Sequence, residues 1–523
     1  MPRLTKLFSV QQAPAPDTRN HEGFPAYIPS EEEAVAELLY LGTLGHTFYA
    51  SGAEWTTTFT AMLKKAVDQN PQFVARAAVR AREDGLVRST PLVAVMALVS
   101  GGPHAQSLGR RIFPRIVRTA DDLRNFVALA QSGQFRTGYG GLPRRLAAVW
   151  LNERLDEYQA VKYAASGDRL SLRNILRLTH PTPPSAERDA IYRWLVKGTL
   201  TPGVSLPLMA SLKSLIHSDI DPVSAITQGR LPFEAVMPRV SAGDRSIWEA
   251  LLPNAPYMFL LRSLKAFGRA GVWENPDALE TAMRILKDPN RVRKAMQFPF
   301  RYYQAAQVLA EQNAPQGLIN AVYEALELAL GNLPAMEAQH IAIAPDVSGS
   351  MTNTLVAQNV SAAHIAGIFT GALWKRNPNA RILPFGTDVH PVRAVSPRDS
   401  IMAIAHSIGT IQGGGTDLSS PIRSLLVKRQ VIDLFIGLTD SEDWAASGGW
   451  QGQGFLSAWF EYRKVAPKAQ AILVQLVPGQ TRVAPRAYPS VHYVYGWSDA
   501  ILRYVAHIAR GRTLVDHIQQ TAI

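Results

Sequence analysis

Residues 340–350 read HIAIAPDVSGS. The short apolar run Ile341 to Pro345 is bounded by His340 and Asp346, which predicts a strand rather than a helix. It ends in Asp346-Val347-Ser348-Gly349-Ser350, directly before a helical stretch. Downstream, ARILPFG (380–386), VIDLFIGLTD (431–440) and AQAILVQLVP (469–478) repeat the pattern, separated by helical segments. That alternation predicts an α/β domain with a parallel sheet over 338–523. Ligands of such sheets bind in the crevice at the carboxyl ends of the strands, where Asp346 and its neighbours are expected.

Upstream of 338, strand-like alternation is nearly absent and amphipathic helical stretches follow one another. Ser30 and Glu33 form a capping box before the first, and Thr90-Pro91 reads as a cap with a first-turn proline before LVAVMALVS. Short helices joined by Gly, Pro and Asp turns over more than 300 residues predict stacked helix pairs, since no single pair can bury its apolar face alone. Residues 1–19, with Gln11, Gln12, Pro14 and Pro16, read as an extended arm. The expected organisation is therefore an arm at 1–19, a helical-repeat domain at 20–337 and the α/β domain at 338–523, with the boundary near 332–339.

The 523 residues contain no cysteine, which excludes disulfides, cysteine zinc sites, iron–sulfur ligation and a thiol nucleophile. Together with the absence of a long apolar run in MPRLTKLFSVQQAPAP, this predicts a cytoplasmic protein. The uncharged stretch Leu355–Trp374 carries Gln358, Asn359, Ser361, His364 and Thr370, and is expected to be a buried amphipathic helix, not a membrane span. The formal charge is +12. Residues 101–180 hold 13 Lys/Arg against 6 Asp/Glu, a concentration suited to a polyanion or, alternatively, to a solvated helical face.

Two further segments bear on the Asp346 loop. Gly413-Gly414-Gly415-Thr416-Asp417 precedes a helix, and Asp440 closes the strand VIDLFIGLT. Asp-x-Ser-x-Ser, a Thr on a Gly-rich loop and an Asp after an apolar strand resemble the metal-ion-dependent adhesion site of von Willebrand factor A domains. The resemblance implies that Ser348, Ser350 and Thr416 ligate Mg²⁺ or another divalent cation directly. Asp346 and Asp440 would act directly or through water, and one position would stay open for a partner's carboxylate. The alternative is that Asp346 caps a helix while Ser350 and Thr416 satisfy backbone groups.

In the helical part, NHEGFPAY (20–27), LLYLGTLGHTFY (38–49), AREDGLVRSTPL (81–92), TADDLRNFVAL (119–129) and LSLRNILRLTHPTP (170–183) resemble the TROVE module. A TROVE module followed by a von Willebrand A domain is the arrangement of the Ro autoantigen family, whose bacterial members this compact chain resembles. The resemblance implies a multidomain fold: an all-α ring of HEAT-like helical repeats plus an α/β von Willebrand A domain of Rossmann-like type. The ring, a monomer, would bind small non-coding Y-type RNA on its outer face and single-stranded 3′ ends of misfolded RNA in its hole. It would act in RNA quality control and decay with an exoribonuclease such as polynucleotide phosphorylase. His180, and Lys162 with Tyr163 beside it, correspond to the family's Y RNA surface.

Arg169, Arg173 and Arg177 recur every four residues, placing three guanidiniums along one helix face suited to phosphates. A helix-capping His180 and a solvated arginine row are the alternatives. Arg110, Arg111, Arg115 and Arg118, and Arg144 with Arg145, form further basic clusters, and Tyr139 is a stacking candidate or a turn aromatic. No phosphate loop, H-E-x-x-H or G-x-S-x-G motif is present. The expected function is a non-catalytic RNA-binding scaffold, with a metal-dependent nuclease or a protein-adhesion module as alternatives.

Overall fold

The structure, a computed structural model, describes residues 14–523 except 21–22, 24, 42–51, 136–138, 165–169, 242, 298, 331–335, 337, 339, 358–359, 393–394, 397, 441–453, 478–480, 486–487, 497–504 and 506–513. Most of the expected arm and boundary segment lies outside the described residues. Two compact units interleave along the chain. One takes in Met1–Thr57, Phe298–Phe300 and Leu330–His517; the other Thr58–Gln297, Arg301–Ala329 and Ile518–Ile523.

The first unit is built on a sheet of five parallel strands: β1 (Ile341–Pro345), β2 (Arg381–Ile382), β3 (Leu434–Thr439), β4 (Gln470–Gln475) and β5 (Val491–Tyr495). Their order is β2-β1-β3-β4-β5. Every residue of β1, β3 and β5 is buried, which is why β1 and β3 read as unbroken apolar runs. The sequence expectation holds no counterpart of β5: His492 and two tyrosines obscure VHYVY, although all five side chains lie inside. ARILPFG yields only two strand residues, although Leu383 N–H and Phe385 N–H still donate to Ile343 O and Pro345 O of β1 at 2.8 and 3.0 Å; Pro384 is tolerated because this edge strand turns residue 384 away from β1.

Leu355–Trp374 is not one helix. Leu355–Ala357 and Val360–Ser361 pair antiparallel, and the helix runs Ala362–Arg376 behind a capping box of Ser361 and His364. The cap stops helical propagation towards Leu355 because the Ser361 side chain accepts from the His364 amide. Among the described residues no helix is long and apolar enough to cross a membrane.

An N-terminal segment completes this unit. The Ser30–Glu33 capping box is present, with Glu33 N–H donating to Ser30 Oγ at 3.1 Å and Ser30 N–H to Glu33 Oε2 at 2.8 Å. Tyr27 and Arg482 exchange backbone hydrogen bonds of 2.9 Å, and the Arg482 guanidinium meets Glu37 with both side chains buried. Arg482 also lies 5.5 Å from the ring centroids of Tyr493 and Tyr495 on β5. Burial alone disfavours its charge; Glu37 and the two tyrosines more than offset that and raise its pKa.

The second unit is helical among its described residues. Helices Pro71–Glu83, Ser89–Ser100 and Pro103–Ile116 pack against one another, and the middle one is apolar on all sides and buried. Gly109 lets Val99 approach to a distance that a Cβ, at 2.8 Å from Val99 Cγ1, would not allow. Thr90 is not the cap of this helix. The helix begins at Ser89 with Arg88 at the N-cap position, and Thr90 is buried in the first turn, where Pro91 is tolerated. Thr119 and Asp122 form a capping box, and the buried Asp122 carboxylate accepts from Arg82 at 2.8 Å and Arg88 at 3.0 Å. The blocks at 81–92 and 119–129 thus meet in one ion-pair network.

Candidate functional site

β1 and β3 are neighbours, and the chain leaves them on opposite sides of a switch in strand order, so the loops at their carboxyl ends open one crevice. Asp346, Ser348, Ser350, Thr416 and Asp440 are all buried there. Ser348 N–H donates to Asp346 Oδ1 at 2.9 Å, and the hydroxyls of Ser348 and Ser350 lie 3.2 Å apart. The Gly-rich loop is stitched on by Gly349 N–H to Gly414 O at 2.7 Å and Gly413 N–H to Val347 O at 2.9 Å. A Cβ on Gly386 would fall 1.9 Å from Gly413 O, so glycine is the residue that allows these loops to touch.

Asp346 and Asp440 are two carboxylates in one water-poor pocket. Burial first, and Asp440 second, hold the Asp346 carboxyl well above its usual range, while hydrogen bonds from Ser348 and Thr439 oppose the shift. Thr416 Oγ1 is buried with no hydrogen-bond partner among the described residues. Asp417, next in the chain, has a separate job: it accepts from Ser419 N–H at 3.0 Å and pairs with Arg423. Three hydroxyls, one of them orphaned, beside two mutually repelling carboxylates form an oxygen donor set that fits a hard divalent cation. Among the described residues no group of three His, Asp or Glu side chains offers an alternative metal site.

Sequence reasoning missed Thr439, whose hydroxyl donates to Asp346 Oδ2 at 2.6 Å, and Thr387, whose Oγ1 accepts from Gly415 N–H at 3.2 Å. Thr439 was visible as the hydroxyl preceding Asp440 at the end of β3. Nothing in the sequence pairs Thr387 with a loop 28 residues further on.

The basic residues divide. Arg173 and Arg177 are exposed on one face of the helix Leu172–Thr179, and exposed His180 follows at its C-cap in the left-handed region (φ 49°). The His180 amide donates to Leu176 O at 2.9 Å, so this residue ends the helix and also presents its ring beside the arginine row. Arg169 lies outside the described residues. Lys162 does not join the row: its Nζ is 3.4 Å from Glu234 Oε1 and 5.7 and 5.6 Å from the ring centroids of Tyr158 and Tyr163.

Several members of the other clusters are engaged internally, while Arg110 and Arg145 are exposed. Arg115 pairs with Glu83 and donates to Ala522 O at 2.7 Å, Arg118 donates to Arg115 O, and Arg111 donates to Ile523 O at 3.3 Å. Arg144 donates to Thr179 O at 3.1 Å, and the Tyr139 hydroxyl meets Thr179 Oγ1. Tyr139 therefore braces the C-terminal end of the Leu172–Thr179 helix.

Residues 340–503 match the family described as the Ro60 vWA domain, and residues 236–338 match the TROVE domain. The parallel sheet and its hydroxyl-rich crevice lie within the first of these two matched regions. Over an alignment of 522 positions the chain is 28% identical to "RNA-binding protein RO60" of Deinococcus radiodurans, covering 94% of this chain and 95% of that one. The crystal structure of the Deinococcus radiodurans RO (RSR) protein has the same fold, with a TM-score of 0.68 at 24% identity over 92% of this chain and all of that one.

Proposed function

We propose that this chain is a non-catalytic RNA-binding protein of the Ro type. The observation that carries the reading is the exposed row of Arg173, Arg177 and His180, on a helix within the most basic segment of a chain similar to an RNA-binding protein over nearly all its length. Two guanidiniums one helical turn apart hold successive phosphates, and the imidazole adds a hydrogen bond. The RNA is a structured small non-coding RNA of Y type, with single-stranded ends of misfolded RNA entering the ring of a monomer. An exoribonuclease such as polynucleotide phosphorylase then acts on the RNA presented.

The crevice beside β1 takes Mg²⁺ through Ser348, Ser350 and Thr416, with Asp346 and Asp440 balancing its charge. Its role is to capture a partner's carboxylate. The donor set contains no imidazole or amine to serve as a base for activating water, which favours capture over hydrolysis.

Crosslinking in cells followed by sequencing of the attached RNA tests the reading. Enrichment of one small structured RNA, reduced by Arg173→Ala with Arg177→Ala, is the expected result. Mg²⁺-dependent cleavage of that RNA by the purified protein, abolished by Asp440→Ala, would replace the scaffold by a nuclease.

A further inference from the structure

The helical unit contains a cavity of about 420 Å³ lined by none of the arginine-row residues. Its size is that of a small-molecule site. Phe233 and Phe259 line it with half-buried rings, 4.3 Å apart between centroids. Buried Trp248 lies parallel to Phe259 at 6.4 Å, so the aromatic wall is backed by a second ring and is rigid.

Lys162, Arg230 and Arg262 also line the cavity, against the single carboxylate of Glu234, which leaves two positive charges uncompensated. Glu234 already pairs with Lys162. Arg230 and Arg262 are exposed, and among the described residues neither side chain makes an ion pair or hydrogen bond. Arg230 holds a left-handed backbone (φ 51°), a conformation that costs a non-glycine residue energy and is kept by its surroundings. Burial first, and then the Arg262 charge, lowers the Arg301 pKa, so cations crowd this side of the unit.

Apolar aromatic walls with free guanidiniums at the mouth match one ligand chemistry: a planar base carrying a phosphate. We propose that this cavity binds a nucleotide extruded from bound RNA, its base against Phe233 and Phe259 and its phosphate on Arg230 and Arg262. The proposal rests on the RNA-binding reading above. It commits to a nucleotide within an RNA chain; a free mononucleotide shares the chemistry and is separated by the test. Glu234 and Lys162, one acceptor and one donor on the same wall, face the polar edge of the base. Stacking tolerates every base, so selection at this position comes from these two side chains.

The test uses the full chain with a single-stranded 12-nucleotide RNA carrying one 4-thiouridine, photocrosslinked and mapped by mass spectrometry, and in parallel the binding of uridine 5′-monophosphate by calorimetry. Crosslinks on the peptides containing Phe233 or Phe259 are expected, lost in Arg230→Ala/Arg262→Ala, with RNA affinity falling about tenfold. Both arginines are exposed, so the double variant tests binding without touching the core. Phe259→Leu, which stays apolar but removes the ring face, is expected to lower crosslinking as well. Normal RNA binding with no crosslink in the cavity overturns the proposal and leaves the RNA-binding reading intact. Tight binding of the mononucleotide, with RNA binding indifferent to both variants, overturns it in favour of a free-nucleotide site. No RNA binding by the unaltered protein removes the RNA-binding reading and this proposal with it.

Discussion

Arg173→Ala combined with Arg177→Ala isolates the electrostatic part of RNA binding. Four residues of helix rise about 6 Å, so two guanidiniums on this exposed face lie roughly one phosphate-to-phosphate step apart and reach successive phosphates. Each lost phosphate contact lowers the slope of log affinity against log salt by about 0.7–0.9, and the pair by about 1.4–1.8. Between ~50 and ~200 mM salt, the drop in affinity should therefore be about sevenfold to twelvefold smaller for the double variant than for the parent.

Both side chains are exposed and alanine is the best helix former, so the fold should tolerate the change. Filter binding of a small hairpin RNA across a salt series measures the slope. Arg245→Ala, whose guanidinium is held by Glu249 and Glu274, serves as the control with an unchanged slope. An unaltered slope in the double variant would return the row to a solvated helix face. His180→Ala should weaken binding with a smaller change in slope, since a neutral imidazole releases no counterion.

Asp122→Ala strands buried Arg82, frees Arg88 and removes the acceptor for the Thr119 amide in the capping box; urea unfolding should show a loss of about 3–5 kcal/mol, and a loss under about 1 would mean the network is dispensable. Thr416→Val deletes an orphaned buried hydroxyl: the metal-free protein should be as stable as the parent or slightly more so, while the rise in Tm on adding Mg²⁺ should vanish. An undiminished rise would take Thr416 out of the ligand set. His364 accepts from the Ser361 amide and its pKa lies below 6.5, through burial and then the nearby His406. The unfolded chain then binds more protons near pH 6, so this contribution to stability is present above about 6.5 and is lost on acidification. His364→Gln retains a capping acceptor that does not titrate, and its Tm should depend less steeply on pH between 5 and 6.5; parallel Tm curves would assign the titration to another group.

Much of the architecture was legible in one dimension because it depends on local period. Apolar runs of five or six residues marked β1, β3 and β4, while spacing at helical intervals marked most of the helices. The three loop motifs of the proposed metal site were legible because each carries its own residue types next to a strand end or glycine run. The arginine row, read as Arg169, Arg173 and Arg177, was visible for the same reason, and the two of them that are described lie one turn apart on a single helix.

What required the tertiary structure is every feature made by residues distant in sequence. Arg482 and Glu37 are 445 positions apart, and nothing local to either announces a buried pair. Lys162 carried in sequence only a resemblance to the family's Y RNA surface; that Glu234 holds it at a cavity whose walls come from three segments between 158 and 263 is visible only in the fold. Thr387 and Gly386 serve the crevice beside β1 only because the loop at 413–415 folds onto them. Periodicity and capping are written in neighbours along the chain, and so the sequence alone determined the elements and the candidate ligands. Which charges are paired, and which pocket they face, is settled by long-range packing that brings an opposite charge or a ring within a few ångströms, and only the folded chain decided that.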